Sequence, residues 1–461
     1  MTPPADRRAH TPEEQKTQQS LSACTKDGVA SQVMGSIIDN YVIPFGLLLG
    51  ATNQQVGWLV AIPNLLGAFT QAWAVTAVNH LGSRLRVLTR GVLVQAIFLV
   101  PIGCLPFLAI PHKIAALIAA VSVYKMMGGI TGPPWGSLVS EYLPAHRRGD
   151  YFGWRSRILG VTSLVTLVFW GAFLYAWKKW VSAESGFLIM FLAGAAARFV
   201  SFYFISRMLD LPIHKTQESE FTLWMFLRRF RESNFVKFVF YVAGITFMTN
   251  LAGPYFSVHM LRNLNFDYLS FMAITLASTI TSLIAFPVWG RHADEVGNAR
   301  ILKTTGIFIC ILPALWVFFR QLVPLLFVES FSGVMWGGFN LCAVNYIYDA
   351  VSPNKRMRCL GYFNLINGLA IFAGASIGGW LSVWLPPVFG FSILTLFLVS
   401  TAGRLFVHLL LSGTFQEVRA GVKHISSRQL FFSVVGIHPM IGNNSDTTVI
   451  IPDVRFSTKN R

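Results

Sequence analysis

The chain has 461 residues, is 54% hydrophobic and only 12% charged, and has a mean hydropathy of +0.54. Soluble domains carry about 25% charged residues, so a water-soluble globule is excluded and the apolar mass must face lipid. The net charge of +17 would suit nucleic acid, but Lys and Arg concentrate in every second loop, the pattern of a membrane protein with its basic loops inside.

Residues 1–27 are polar and lack the apolar core of a signal peptide. They form the expected cytoplasmic N-terminal tail. A helix needs about 20 apolar residues to cross the bilayer. Twelve segments qualify, near 28–50, 55–79, 88–111, 113–141, 153–177, 185–211, 235–262, 267–291, 300–320, 322–350, 361–385 and 387–413. On this topology Lys113, Lys178, Lys179, Arg262 and Arg320 lie on the outer side. Lys125, Arg198 and Arg404 lie within the membrane, and the other basic residues face the cytoplasm. Both termini are then cytoplasmic. The fold class expected is all-α, with two six-helix bundles at 28–211 and 235–413.

The linker 212–234 carries Leu223, Phe226, Leu227 and Phe230 on one helical face and Arg228 and Arg229 off it. That pattern suits a helix lying in the membrane interface; the alternative is an early start to the seventh crossing. The tail 414–461 is polar apart from Leu430–Ile437, which is too short to span, and a strand-like stretch at Thr447–Ile451. Cys24, Cys104, Cys310, Cys342 and Cys359 form no CxxC, and no His has metal-ligand spacing. Buried or cytosolic thiols are expected, with no disulfide, metal or cofactor.

The second half repeats the first. Asn79 and Gly82, after the second segment, recur as Asp294 and Gly297, 215 residues on. Glu141, Arg148 and Gly153 recur as Asp349, Arg356 and Gly361, 208 residues on. Two matched helical bundles point to a transporter. Gly290-Arg-His-Ala-Asp294-Glu-Val-Gly297-Asn-Ala-Arg300 resembles the signature loop of the major facilitator superfamily, with Glu295 and Asn298 where basic residues are usual. The first copy, Val75-Thr-Ala-Val-Asn79-His-Leu-Gly82-Ser-Arg84, departs at Val75 and Asn79. The resemblance covers about residues 28–413. It implies alternating access between two bundles, and a cytoplasmic gate drawn from Asn79, Gly82, Arg84, Glu141, Arg148, Gly290, Asp294, Gly297, Arg300, Asp349 and Arg356. Glycine permits a tight turn and close helix approach, and carboxylates accept from nearby Arg.

An ionisable side chain at bilayer depth costs about 2.5–3.5 kcal/mol and marks a functional site by default. Asp39 lies roughly 16 Å into the first crossing at about 1.5 Å per residue. Lys125 lies in the fourth crossing and Glu329 in the tenth. The resemblance implies that crossings one, four, seven and ten line the central cavity. The expected substrate or proton site is therefore Asp39, Asn40, Lys125, Trp135, Asn250, Tyr255, Glu329, Asn340 and Asn345. Asn364 and Asn367 of the eleventh crossing join them as further cavity candidates. The plainer readings are a static Asp39–Lys125 ion pair, a hydrated Glu329 near the outer interface, and a packing role for Arg198 and Arg404.

The function expected is secondary transport of a small organic solute across the cell membrane, with proton coupling at Asp39. No enzyme motif, Walker loop or nucleophile–base spacing occurs in the sequence. The expected partners are the solute and the bilayer, with no nucleic acid, and the chain is expected to be a monomer. The competing reading is a transporter-fold sensor that signals through its tail.

Overall fold

The computed structural model describes residues 12–71, 73–143, 148–212, 228, 232–351 and 353–419. Nearly all of the expected interfacial helix, and both tail stretches beyond 419, fall outside these residues. The rest is helical. In order, the helices are α1 (Pro12–Leu48), α2 (Asn53–Gln71), α3 (Ala74–Leu81), α4 (Arg84–Cys104), α5 (Lys113–Glu141), α6 (Arg148–Trp180) and α7 (Ala183–Ile205). Then follow α8 (Asn234–Val258), α9 (Tyr268–Val296), α10 (Asn298–Phe318), α11 (Leu322–Ala350), α12 (Pro353–Trp384) and α13 (Ser392–Leu411).

Among the described residues, ten helices are long and apolar enough to cross a membrane, or eleven if the bent pair α2 and α3 is one span. The first crossing expected from sequence, on α1, is not among them. Some of its polar residues are sheltered inside the protein, Asp27 and Ser36 being buried alongside Met34, Ile37, Tyr41 and Phe45, while Asp39 is exposed. A helix shielded from lipid by its neighbours need not be apolar all round.

Proline explains much of the irregularity. Pro44, Pro63, Pro101, Pro254, Pro287 and Pro313 each sit inside a helix, where each removes one backbone hydrogen bond. Five residues beyond Pro254, α8 widens into a π turn at His259–Asn263.

The repeat seen in the sequence recurs in the packing. In the first half α2 packs on α5, α4 on α7 and α1 on α7. In the second half α9 packs on α11, α10 on α13 and α8 on α13. Gly129 and Gly333 mark the equivalence closely. A Cβ on Gly129 would run into the Gly67 carbonyl and Thr70, and one on Gly333 into the Ser278 carbonyl and Thr281. Only glycine allows these backbones so near each other. Across the halves, α2 packs on α12 and α6 on α9.

The two ends of the molecule differ. One end, here the hairpin face, carries the short turns at 49–52, 105–112, 264–267 and 385–391. Its two core clusters each draw on both halves. Tyr268 and Met272 join residues of α1, α5, α6 and α7, while Ala51, Val56 and Ile114 join residues of α8 to α13. The opposite end, the motif face, carries the repeated loop motifs. There one buried cluster is built wholly from the second half and the other wholly from the first. The buried clusters therefore join the halves at the hairpin face and divide between them at the motif face, while the α2–α12 packing continues across the halves as far as the Asn364–Gln71 contact at 3.3 Å.

Candidate functional site

A cavity of about 460 Å³ lies between the halves. α2 contributes Asn64, Gly67, Ala68 and Gln71. α5 contributes Tyr124, Lys125, Gly128 and Gly129. α12 contributes Asn364, Asn367, Gly368 and Ile371, and Asp39 and Gln95 come from α1 and α4. The helices can meet here because glycine occupies the wall at Gly67, Gly128, Gly129 and Gly368. A Cβ on Gly368, for instance, would press on the Ala68 methyl at 2.5 Å.

The Lys125 ammonium donates to Asp39 Oδ1 at 3.0 Å, and the side chains are 30% and 64% exposed. Both charges thus face the cavity. Behind them Gln95 donates to the Tyr124 carbonyl at 2.8 Å and accepts from Arg198 Nε at 3.0 Å. Arg198 also donates to Ser31 and Ser201, and Ser201 in turn donates to buried Asp27 at 2.6 Å. Arg198 is therefore locked behind the wall. Its counterpart Arg404 is equally buried, donating to the Ile309 carbonyl at 3.0 Å and to Ser400 Oγ at 3.1 Å.

Of the nine residues expected at the site, the structure brings Asp39 and Lys125 together in this cavity. Asn40 turns back to the Ser36 carbonyl at 2.8 Å, and Asn250 to the Thr246 carbonyl at 2.8 Å. Trp135 lies under the Arg155 guanidinium at 4.5 Å. Tyr255 is buried and donates to the Ala375 carbonyl at 3.0 Å, tying α8 to α12. Glu329 accepts from Trp316 Nε1 at 3.1 Å, inside the second half. Asn340 is exposed and Asn345 half-buried on α11, away from the lining. The further candidates Asn364 and Asn367 do line the cavity. Asn64, Gln71 and Gln95 are not among the expected site residues, because they lie on α2 and α4, outside crossings one, four, seven and ten. The available signal was an amide inside an apolar segment.

The loop motifs form two separate clusters at the motif face. In the first half, Arg84 grips Glu141 with two hydrogen bonds at 2.6 and 2.7 Å and donates to Ser137 Oγ at 2.8 Å. It also reaches the Leu211 and Pro212 carbonyls at 3.2 Å. Gly82 ends α3 with φ of 61°, and Asn79 is exposed. In the second half, Asp349 accepts from Asn298 at 2.7 Å and from Arg419 at 2.8 Å, while Asp294 accepts from Arg419 at 2.9 Å. Burial works against the Arg419 charge, and the bonds to Asp294 and Asp349 outweigh it, so its proton affinity is raised. Gly297 takes φ of 85°, a left-handed value, while Arg300 and Gly290 form no hydrogen bond in this cluster. The side chains of Arg148 and Arg356 lie outside the described residues. Arg419, not singled out from sequence, joins the two acidic positions of the second half.

Residues 238–437 match the family model described as the Major Facilitator Superfamily. An uncharacterized transporter of Schizosaccharomyces pombe is 32% identical over 110 residues, which is 24% of this chain and 19% of that protein. The multidrug transporter protein MdtP of Bacillus subtilis is 31% identical over 109 residues, 23% of this chain and 20% of that one. The chain thus spans about a fifth of the length of these relatives. Among solved structures, a mutant of the nucleoside transporter NupG aligns with a TM-score of 0.68 at 13% identity, covering 86% of this chain and all of that one. A D-xylose-proton symporter aligns with a TM-score of 0.66 at 14% identity, covering 88% and 99%.

Proposed function

We propose that the chain, whose residues 238–437 match the Major Facilitator Superfamily model, is a secondary transporter of that superfamily that carries a small polar solute by alternating access. The observation that supports it is the asymmetry of the two faces around one central cavity. Contacts between the halves close the hairpin face: Arg262 donates to the Ala51 carbonyl, and Lys178 lies 5.6 Å over the Tyr268 ring. At the motif face each half keeps its own core. Two separately packed bodies joined at one end can rock about the cavity, and rigid-body motion of repeats around a midplane site is how such folds alternate.

In this reading the motif face is cytoplasmic, in line with the basic loops, and the membrane is the plasma membrane. The state described here is open inward. Solute binding at Asp39 and Lys125 lets the motif face close while the Arg262–Ala51 contact breaks. A proton exchanged at Asp39 supplies coupling, and no covalent step is involved. The test is counterflow in liposomes holding the purified full chain, with a panel of metabolites as counter-solutes. Saturable exchange of one solute class supports the reading. Uptake equal to that of empty liposomes across the panel, with protein shown folded, overturns it.

A further inference from the structure

We infer that the solute is a small zwitterion of the α-amino-acid type, held by its ammonium on Asp39 and its carboxylate on Lys125. The inference rests on the transport reading above and narrows it to a substrate class. Among the described residues that line the cavity, the only charged side chains are Asp39 and Lys125, and they cancel. A solute with net charge would bring an uncompensated charge to bilayer depth, which is costly. One with no net charge would not.

A neutral polyol also meets that condition, but the pair favours separated charges. Each partner keeps unused capacity: a carboxylate offers about four acceptor sites and an ammonium three donors. The two spend one hydrogen bond on each other. An antiparallel zwitterion completes a ring of four alternating charges and leaves the Asp39–Lys125 bond intact.

The surrounding amides fit this polarity. Asn64 gives its –NH2 to the Val60 carbonyl at 2.8 Å, and Asn367 gives its –NH2 to the Phe363 carbonyl at 2.9 Å. Asn64 thus keeps its carbonyl oxygen as an acceptor that suits an ammonium, whereas the Asn367 oxygen is itself buried. Among the described lining residues, Ala68 and Ile371 are the only aliphatic side chains. Ligand pockets are usually lined mainly by hydrophobic and aromatic groups. This wall of glycine and amide suits a compact polar molecule rather than a lipophilic one.

The experiment is thermal stabilisation of the detergent-purified full chain by the proteinogenic amino acids, D-glucose and uridine. The best amino acid is then compared with its N-acetyl derivative and its methyl ester. A ligand of the folded state raises Tm by mass action. The expected result is a shift with at least one amino acid, and affinity lower by about tenfold or more for both derivatives. Because the ligand is varied on the native chain, the result does not depend on a variant folding. Equal binding of either derivative, or no shift with any amino acid, overturns the inference. A shift with glucose or uridine alone, followed by their counterflow, also overturns it while leaving the transport reading standing.

Discussion

Lys125 and Asp39 stabilise each other only while both are charged, so removing one should cost more than removing both. Lys125→Met leaves the carboxylate facing the cavity without its cation. The double variant Asp39→Asn with Lys125→Met leaves no charge at all. A partner stripped from an ion pair costs more than the pair's own worth, moderated here because Asp39 is 64% exposed. The single variant should be less stable than the double by about 1 kcal/mol, read as Tm of purified protein. A double variant less stable than both singles would show that the pair does not couple. At the same scale, Gly333→Leu should cost about 1–3 kcal/mol by overpacking, because its side chain would enter the Ser278 backbone. Gly253→Ala, where nothing lies within 4 Å, should leave Tm nearly unchanged.

The two halves solve the same problem of helix termination in different ways. In the first half α4 is capped from within the sequence, Ser83 Oγ accepting from the Arg86 amide at 3.0 Å. In the second half α10 begins after Gly297, which has no side chain to cap with. Glu417, from the segment after α13, accepts from the Ala299 amide at 2.8 Å instead. That segment is held down by Phe415, fully buried in the second-half core, and by Lys303, which donates to the Phe415 carbonyl at 2.8 Å. Asn234 and Tyr346 both donate to the Gln416 carbonyl, at 2.8 and 2.7 Å. Phe415→Ala should therefore cost about 3 kcal/mol, and Glu417→Ala about 1 kcal/mol as a lost cap. Hydrogen exchange should show the start of α10 opening in both variants, with α4 unchanged. Protection unchanged at 298–301 would mean the strap is not its cap.

Over the whole molecule, the proposed alternating access, with the motif face as the open side, predicts one-sided access to the cavity. Asn364 is exposed on the lining and touches Gln71 across the halves at 3.3 Å. In Asn364→Cys, an impermeant maleimide should label from the motif side of sealed vesicles and not from the hairpin side. Background should be low, because four of the five native cysteines are buried. Adding Arg262→Ala to that variant removes the Ala51 contact and should shift the population toward the outward-open state, measured as new labelling of the introduced thiol from the hairpin side. Equal labelling from both sides without the Arg262 change would contradict a closed hairpin face.

The sequence by itself determined the class of the molecule. Lipid imposes a length and a polarity on every crossing helix, and both are local properties. The repeat was also legible, because Gly82 and Gly297, and Glu141 and Asp349, keep their spacing. So was the pairing of Asp39 with Lys125, since charges at the same depth in a membrane seek each other. Tertiary structure alone decided the rest. Which intramembrane amides reach the cavity depends on helix rotation, and a hydrophobic stretch does not encode that angle. Asn40 and Asn250 satisfy themselves on their own helices, while Asn64 and Gln71 line the wall. Glu329 is an ionisable residue of a spanning helix, yet it accepts from Trp316 inside its own half. Arg419 reaches Asp294 and Asp349 from 125 and 70 positions away. A contact at that separation exists only once the chain has packed, and no local pattern announces it.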